Sequence, residues 1–222
     1  MKILNIFHEG TLGDSYIVVL KLMKIGKDYD LITVFHKTEH RYWYGEISDI
    51  YSLFDKIRLT FVEEKPYPSI LEISSPDRHI QTHWFPKFQI EPSIIIKEPY
   101  IIVQPHSGKP NGGNTKKLHP KNVQELVNRF ANVVLLGTND VYNDIKVTHN
   151  LINKTSILDA IALTINADSF FGPEGLLSFV AVSHKINSVI LYSSELAVKN
   201  RIVNTAWSPY CTLQKMESFN DK

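Results

Sequence analysis

Apolar positions along the first half of the chain alternate between two spacings. Short apolar runs, each typical of a β-strand, occur at KILNIF, YDLITVF and KIRLTFV. Between them, apolar side chains recur at helical spacing over residues 14–26 and about 39–53. This half of the sequence therefore predicts strands that alternate with helices.

The second half repeats the alternation with clearer boundaries. The predicted strands are YIIVQPH, NVVLLG, DSFFG and NSVILYS, and the predicted helices are PKNVQELVNRFA, SILDAIALTINA and GLLSFVAVSHK. Pro120 suits the first turn of a helix, and Ser156 suits an N-cap. Continuous apolar strands between helices predict a parallel sheet covered on both faces, in a doubly wound, Rossmann-like arrangement. Ligands of such sheets bind beyond the carboxyl ends of the strands.

A cluster of prolines separates the two alternating halves. It lies in EEKPYPSI and EPSIIIKEPY, and it is the best linker signal in the sequence. We therefore predict an α/β protein with two domains, residues 1–98 and 99–222, whose parallel sheets face one cleft.

Composition narrows the function classes. The 222 residues carry a formal net charge of +1, which gives no global electrostatic reason to bind nucleic acid. The single cysteine, Cys211, excludes an internal disulfide framework and fits a reducing compartment. No secretory leader and no apolar run long enough to span a bilayer is present, so a cytoplasmic protein without a transmembrane segment is expected.

The stretch HEGTLGDSYIVV places Gly13 and Asp14 between the first predicted strand and the first predicted helix. Asp14 stands where an N-cap belongs, and capping is one interpretation of it. The other is that its carboxylate faces a ligand at the carboxyl end of the first strand.

The loop SGKPNGGNTKKLHP, residues 107–120, follows the strand YIIVQPH. It lacks the P-loop pattern, because Asn114 stands where the lysine should be. Its candidate phosphate-binding residues are Ser107, Thr115, Lys116 and Lys117. They precede a helix N-terminus, which attracts anions, although a solvated basic loop is the alternative.

Two further polar segments follow predicted strands. In GPEGLLSF, Glu174 is placed to accept hydrogen bonds from sugar or ribose hydroxyls, or else to cap a helix. In TND, residues Thr138 to Asp140 offer polar contacts or simply form a turn. Histidine pairs spaced by four residues, His36 with His40 and His79 with His83, are better explained by packing or surface positions than by metal binding.

Together these segments resemble the heptosyltransferase-type glycosyltransferases (glycosyltransferase family 9), which have the two-domain GT-B architecture. GTLGDSYIVV is similar to their N-terminal Gly-x-x-Gly-Asp turn. IIVQPHSGKPNGGNTKKLHPKNVQELV and VVLLGTND resemble the strand, loop and helix segments that follow in the second domain. The similarity covers most of residues 100–194 and about 15 residues at the start.

The resemblance implies transfer of a sugar from a nucleotide-activated donor, with no cofactor and no metal. Asp14 would then be the general base. The donor site would comprise Gly13, Ser107, Thr115, Lys116, Lys117, Thr138, Asp140, Pro173, Glu174 and Gly175. The donor would lie mainly on residues 99–222, and the acceptor would approach from residues 1–98.

The sequence departs from the family pattern in the donor loop. The family's Asp-Thr-Gly is Pro173-Glu174-Gly175 here, so the identity of the donor cannot be transferred. The acceptor stays open among a glycan, a metabolite, a protein and a modified nucleic acid base. A non-catalytic nucleotide- or sugar-phosphate-binding protein, and an epimerase or hydrolase of nucleotide sugars, are the alternative functions.

Overall fold

The computed structural model describes residues 1–38, 41–73, 85–86, 88–108 and 116–217. The chain divides into two compact units, Met1–Phe88 with Asn204–Ala206, and Gln89–Val203 with Trp207–Lys222. In the second unit, the backbone N–H of Ser93 donates to Asp159 Oδ1 at 2.9 Å. The acceptor and donor roles predicted for residues 1–98 and 99–222 stay predictions.

The first unit contains a four-stranded parallel sheet in the order β3-β2-β1-β4. Its elements are β1 (Ile3–Glu9), α1 (Leu12–Ile25), β2 (Leu31–Lys37), α2 (Tyr44–Ser52), β3 (Ile57–Phe61) and β4 (Leu71–Ile73). The three predicted strands are confirmed as β1, β2 and β3. In β2, alternate side chains such as Ile32 and Val34 are fully buried, as expected for a strand. The second predicted helix is confirmed as α2, while residues 39–40 lie outside the described part of the chain.

Helix α1 begins earlier than the sequence predicted. Thr11 is its N-cap, and Asp14 is the third helical residue. The prediction that Asp14 is the N-cap is therefore wrong. The physical reason is a Thr-x-x-Asp capping box, in which Asp14 Oδ2 accepts hydrogen bonds from Thr11 N at 3.1 Å and Thr11 Oγ1 at 3.2 Å.

The second unit contains a six-stranded parallel sheet in the order β12-β11-β10-β5-β8-β9. Its strands are β5 (Ile101–Val103), β8 (Val133–Leu135), β9 (His149–Asn150), β10 (Ser169–Pro173), β11 (Asn187–Tyr192) and β12 (Cys211–Lys215). A two-stranded antiparallel ribbon, β6 (His106–Ser107) and β7 (Lys116–Lys117), follows β5. The predicted α/β class with parallel sheets is confirmed.

The helices of the second unit follow the predicted pattern. They are α3 (Pro120–Val127), α4 (Ile157–Ile165), α5 (Leu176–Ser183) and a short α6 (Glu195–Val198), which continues as a π-helix over Lys199–Val203. Pro120 opens α3, and the Ser156 side chain caps α4 by accepting from Asp159 N at 3.0 Å, both as predicted. Val103, Leu135 and Leu191 belong to the buried core against this sheet.

Candidate functional site

The strand order of the second unit reverses beside β5. From β5 the chain proceeds outward to β8 and β9, and it returns to the other side of β5 for β10, β11 and β12. Ligands of open parallel sheets bind at such a switch point, outside the carboxyl ends of the strands. The carboxyl ends of β5 and β10 are therefore the first place to examine for a site.

Gly172 allows these two strand ends to approach each other. A Cβ added at Gly172 would lie 2.7 Å from the backbone oxygen of Gln104, the residue that follows β5. The backbone N–H of Gln104 donates to Phe171 O at 2.8 Å, so the contact continues one residue past β5. This geometry brings the segments that follow β5 and β10 together.

Glu174, the first residue after β10, lies at the centre of the site. Its side chain is 1% exposed and is paired with two cations. Lys116 Nζ donates to Oε2 at 2.7 Å, and Arg201 Nη1 donates to Oε1 at 2.9 Å. Burial alone would raise the pKa of the Glu174 carboxyl, but the charges of Lys116 and then Arg201 outweigh burial and hold that pKa below its ordinary value.

The backbone carbonyl of Glu174 is held as well. Lys116 Nζ donates to this oxygen at 2.9 Å, and Ser107 Oγ donates to it at 3.1 Å. Lys116 thus bonds both the carboxylate and the carbonyl of one residue. A Cβ at Gly175 would clash with Ser107 Oγ, so a larger residue there would displace the hydroxyl that bonds Glu174. The predicted residues Ser107, Lys116, Glu174 and Gly175 are therefore neighbours.

Arg201 is a residue of this site that the sequence analysis missed. It lies on the π-helix after α6, and its side chain is 31% exposed. A guanidinium has five N–H groups, and within the described part of the chain only the bond to Glu174 uses one of them. No motif surrounds Arg201, so a basic residue following the strand NSVILYS was the only available signal.

Helix α5 starts at Leu176, and Gly175 is its N-cap. The backbone N–H of Gly175 donates to Ser178 Oγ at 2.9 Å, and this hydroxyl donates to Gly175 O at 2.8 Å. Ser178 therefore caps the helix, while the Glu174 carboxylate pairs with Lys116 and Arg201. Pro173, another predicted donor-site residue, is buried as the last residue of β10.

Lys117 is exposed on β7, opposite His106 on β6. Burial and then the charge of Lys117 lower the pKa of His106, so the imidazole is held neutral. The positive charge at this end of the ribbon therefore comes from the lysines. Thr115, predicted to contact phosphate, lies outside the described residues.

The segment after β8 forms a turn. Asn139 Oδ1 accepts from Val141 N at 3.2 Å, and Asp140 begins a 3₁₀ turn. Asp140 Oδ1 accepts from Asn143 Nδ2 at 3.2 Å and from Asn153 Nδ2 at 2.6 Å. Thr138 and Asp140 are both exposed, and their predicted contact with the nucleoside stays a prediction.

The one described histidine of the two spaced pairs, His36, is buried as the packing interpretation predicts. His36 is fully buried on β2, whereas His40, His79 and His83 lie outside the described residues. No three His, Cys, Asp or Glu side chains in the described part of the chain are grouped to hold a metal ion. None of the helices described is long and apolar enough to cross a bilayer.

Comparison with known proteins finds likeness in structure only. No protein-family model matches the sequence, and no curated protein does. A glycosyl transferase of family 9 from Veillonella parvula DSM 2008 superposes with a TM-score of 0.62 at 9% identity, over 98% of this chain and 87% of the other.

A second similar structure is TibC, an iron-containing dodecameric glycosyltransferase from enterotoxigenic E. coli H10407. It superposes with a TM-score of 0.60 at 14% identity, and this chain spans 62% of its length. Another structure of TibC, described as a heptosyltransferase in complex with ADP-D-β-D-heptose, superposes with a TM-score of 0.57 at 13% identity. The match covers 96% of this chain and 63% of TibC. The predicted α/β fold with parallel sheets is confirmed, and the chain has a Rossmann-like GT-B fold like that of the heptosyltransferase-type family 9 glycosyltransferases. The predicted cleft stays a prediction.

Proposed function

We propose that the protein transfers a sugar from a nucleotide-activated donor to an acceptor hydroxyl. The observation that carries this proposal is the Lys116–Glu174–Arg201 cluster at the switch point of the second sheet. The cluster puts two cations where sheets of this kind bind ligands, in a fold shared with glycosyltransferases.

The cluster suits the diphosphate of such a donor. Two cations and one carboxylate leave a net charge of +1, and exposed Lys117 adds another positive charge nearby on β7. Arg201 retains N–H groups in the planar geometry that matches phosphate oxygens. We propose that Lys116, Lys117 and Arg201 bind the diphosphate, together with Ser107 and Thr115.

The remaining donor contacts are assigned by position in the fold. The segment Pro173 to Gly175 would hold the sugar and its phosphate. Each oxygen of the Glu174 carboxylate already accepts one hydrogen bond, so only its remaining lone pairs would accept bonds from sugar hydroxyls. Thr138 and Asp140, exposed after β8, would contact the nucleoside. Gly13, beside Asp14 in α1, would allow close approach of the donor sugar.

The proposed reaction needs one base and a stabilised leaving group. Asp14 would take the acceptor's hydroxyl proton as the acceptor oxygen bonds to the anomeric carbon. The bond from that carbon to the diphosphate oxygen breaks, and both of its electrons leave with the diphosphate. Lys116, Lys117 and Arg201 would stabilise the charge that develops there.

We also propose that transfer requires no metal ion, since these cations can stabilise the leaving group. The test is turnover after treatment with EDTA and removal of the chelator. Full activity is expected. A loss of activity that magnesium, manganese or iron restores would contradict the proposal; iron is included because TibC is described as iron-containing.

A panel of nucleotide sugars tests the function itself. Each is incubated with the protein alone and with a mixture of glycan and small-molecule acceptors, and products are followed by mass spectrometry. Sugar transfer to an acceptor supports the proposal. Binding without turnover would indicate a non-catalytic binding protein, and conversion without an acceptor would indicate an epimerase or hydrolase.

A further inference from the structure

Two buried histidines lie side by side in the first unit. His8 on β1 and His36 on β2 are paired in register, and both side chains are 0% exposed. Their ring centroids are 5.1 Å apart in an edge-to-face arrangement. The two residues therefore share burial and a sheet, and they differ in their hydrogen-bond partners.

His36 contacts the turn that follows β1. Its Nε2 lies 3.3 Å from the backbone oxygen of Gly10, and its Nδ1 lies 3.1 Å from the hydroxyl of Tyr51 on α2. A carbonyl oxygen can only accept, so Nε2 must carry the proton. In the neutral ring Nδ1 is then the acceptor, and the Tyr51 hydroxyl donates to it. The Gly10 carbonyl thus requires the tautomer with the proton on Nε2, and the Tyr51 hydroxyl satisfies Nδ1 in that tautomer.

The Gly10 carbonyl belongs to the same peptide group as the Thr11 N–H. This peptide is trans and planar, so its C=O and N–H point in opposite directions. The N–H end donates to Asp14 Oδ2 at 3.1 Å. His36 therefore fixes one end of a rigid group whose other end holds the Asp14 carboxylate.

Within the described part of the chain, no bond joins His8 to this peptide. Its Nδ1 lies 3.3 Å from the backbone oxygen of Ile73 on β4, away from the Gly10–Thr11 peptide. A change at His8 would disturb the same buried region without removing a bond to the turn. The chain thus contains its own matched control for the role of His36.

We propose that His36 is a positioning residue that orients the Asp14 carboxylate for proton transfer, with the Tyr51 hydroxyl supporting the tautomer that bonds Gly10. The proposal rests on the proposed function, in which Asp14 is the base. A base displaced by a fraction of an ångström still allows donor binding but removes the proton less effectively. The signature is therefore a fall in kcat at unchanged KM for the donor.

The test compares His36→Phe, His36→Gln and His8→Phe. Phenylalanine removes the bond to Gly10, whereas glutamine retains an amide N–H that can reach the same carbonyl. We expect His36→Phe to lower kcat about 10- to 100-fold. His36→Gln is expected to recover most of that loss, and His8→Phe is expected to lower thermal stability but leave kcat close to wild type.

Tyr51→Phe keeps the proposal testable if His36→Phe fails to fold. Removing the hydroxyl takes the donor away from Nδ1 and weakens support for the tautomer that bonds Gly10, so kcat is expected to fall about two- to tenfold in the wild-type background. In a His36→Gln background the same change should leave kcat unaltered. Equal kcat in wild type and Tyr51→Phe, or equal losses in His36→Phe and His8→Phe, would overturn the inference.

The wild-type protein separates this inference from the proposed function. If wild type transfers no sugar from any donor in the panel, the proposed function fails. If wild type transfers sugar and the His36 variants do so equally well, only the positioning role fails.

Discussion

Lys116 Nζ lies 2.7 Å from Oε2 of Glu174, a carboxylate with a side chain that is 1% exposed. Arg201 bonds the other oxygen of the same carboxylate at 2.9 Å. A buried charge is costly unless it is paired and hydrogen-bonded, so the three side chains depend on one another. The arrangement fixes two cations at the carboxyl ends of the strands.

Glu174→Gln should destabilise the protein. Breaking a buried ion pair typically costs 3–5 kcal/mol, and because Lys116 and Arg201 are partly exposed to solvent we expect about 2 kcal/mol here. The measurement is the free energy of unfolding from urea denaturation at pH 7. If the second unit unfolds separately, its unfolding is followed by the fluorescence of Trp207, which is fully buried there, in a background where Trp43 and Trp84 are replaced by phenylalanine.

Glu125→Gln is the matched control for this change. Glu125 forms an exposed ion pair with Lys121 on α3, with 3.8 Å between Oε1 and Nζ. Exposed pairs of this spacing contribute about 0.3–0.5 kcal/mol. Equal losses of stability in the two variants would show that the Glu174 pairs are no stronger than a surface pair.

Asp159 should make the second unit sensitive to acid. Hydrogen bonds from the Ser156 hydroxyl and then from Ser93 lower its pKa from 3.8 to about 2. A lowered folded-state pKa gives stability that is present above pH 3.8 and is lost as the pH falls through about 2. Between pH 4 and pH 2 the wild type should therefore lose more unfolding free energy than Asp159→Asn, measured by urea denaturation at several pH values. Ser156→Ala should reduce the acid loss in the same way, whereas equal losses in all three proteins would contradict the assignment.

The sequence predicted the elements better than the contacts between them. Strands such as β10 and β11 are apolar runs bounded by turn residues, and burial on both faces of a parallel sheet requires that pattern. Lys116 and Glu174 were selected because each follows a predicted strand. Their ion pair could not be predicted, because it depends on which strands become neighbours in the sheet.

Two errors have specific physical causes. Arg201 was missed because it follows β11 on an irregular helix, and only the folded chain brings it to Glu174. Asp14 was assigned to the N-cap because glycine at position 13 suggested a turn there. The Thr-x-x-Asp spacing from Thr11 to Asp14 was the available signal for the capping box that is present.

Arg201→Gln and Lys117→Ala should each weaken binding of a nucleoside diphosphate. Charge-assisted hydrogen bonds contribute about 1.5–3 kcal/mol, which corresponds to about one to two decades in Kd. Isothermal titration calorimetry with UDP, ADP and GDP measures this loss. Lys199→Ala, which removes an exposed charge from the same π-helix as Arg201, is the control and should change Kd little. An equal effect of Lys199→Ala would mean that only the overall charge matters.

Asp14→Asn should lower kcat by two decades or more while the Kd for nucleoside diphosphate stays unchanged. Asparagine keeps the shape of the side chain, and its oxygen can still accept from the Thr11 N–H, but it cannot take the acceptor's proton. Removal of a general base typically costs 10²–10⁴-fold in rate, about 3–5 kcal/mol of barrier. Turnover and a melting curve are measured on the same preparation.

Asp159→Asn isolates the contribution of helix capping to that result. Asp159 is the third residue of α4, after the N-cap Ser156, and Asp14 is the third residue of α1, after the N-cap Thr11. The two substitutions thus remove the same charge from the same helical position, where each carboxylate accepts from the hydroxyl of its N-cap residue. Only Asp14 is proposed to act on the acceptor. Both variants should lose stability at pH 7, and only Asp14→Asn should lose turnover. If Asp14→Asn turns over at close to the wild-type rate, Asp14 serves the helix alone and the base must be another residue.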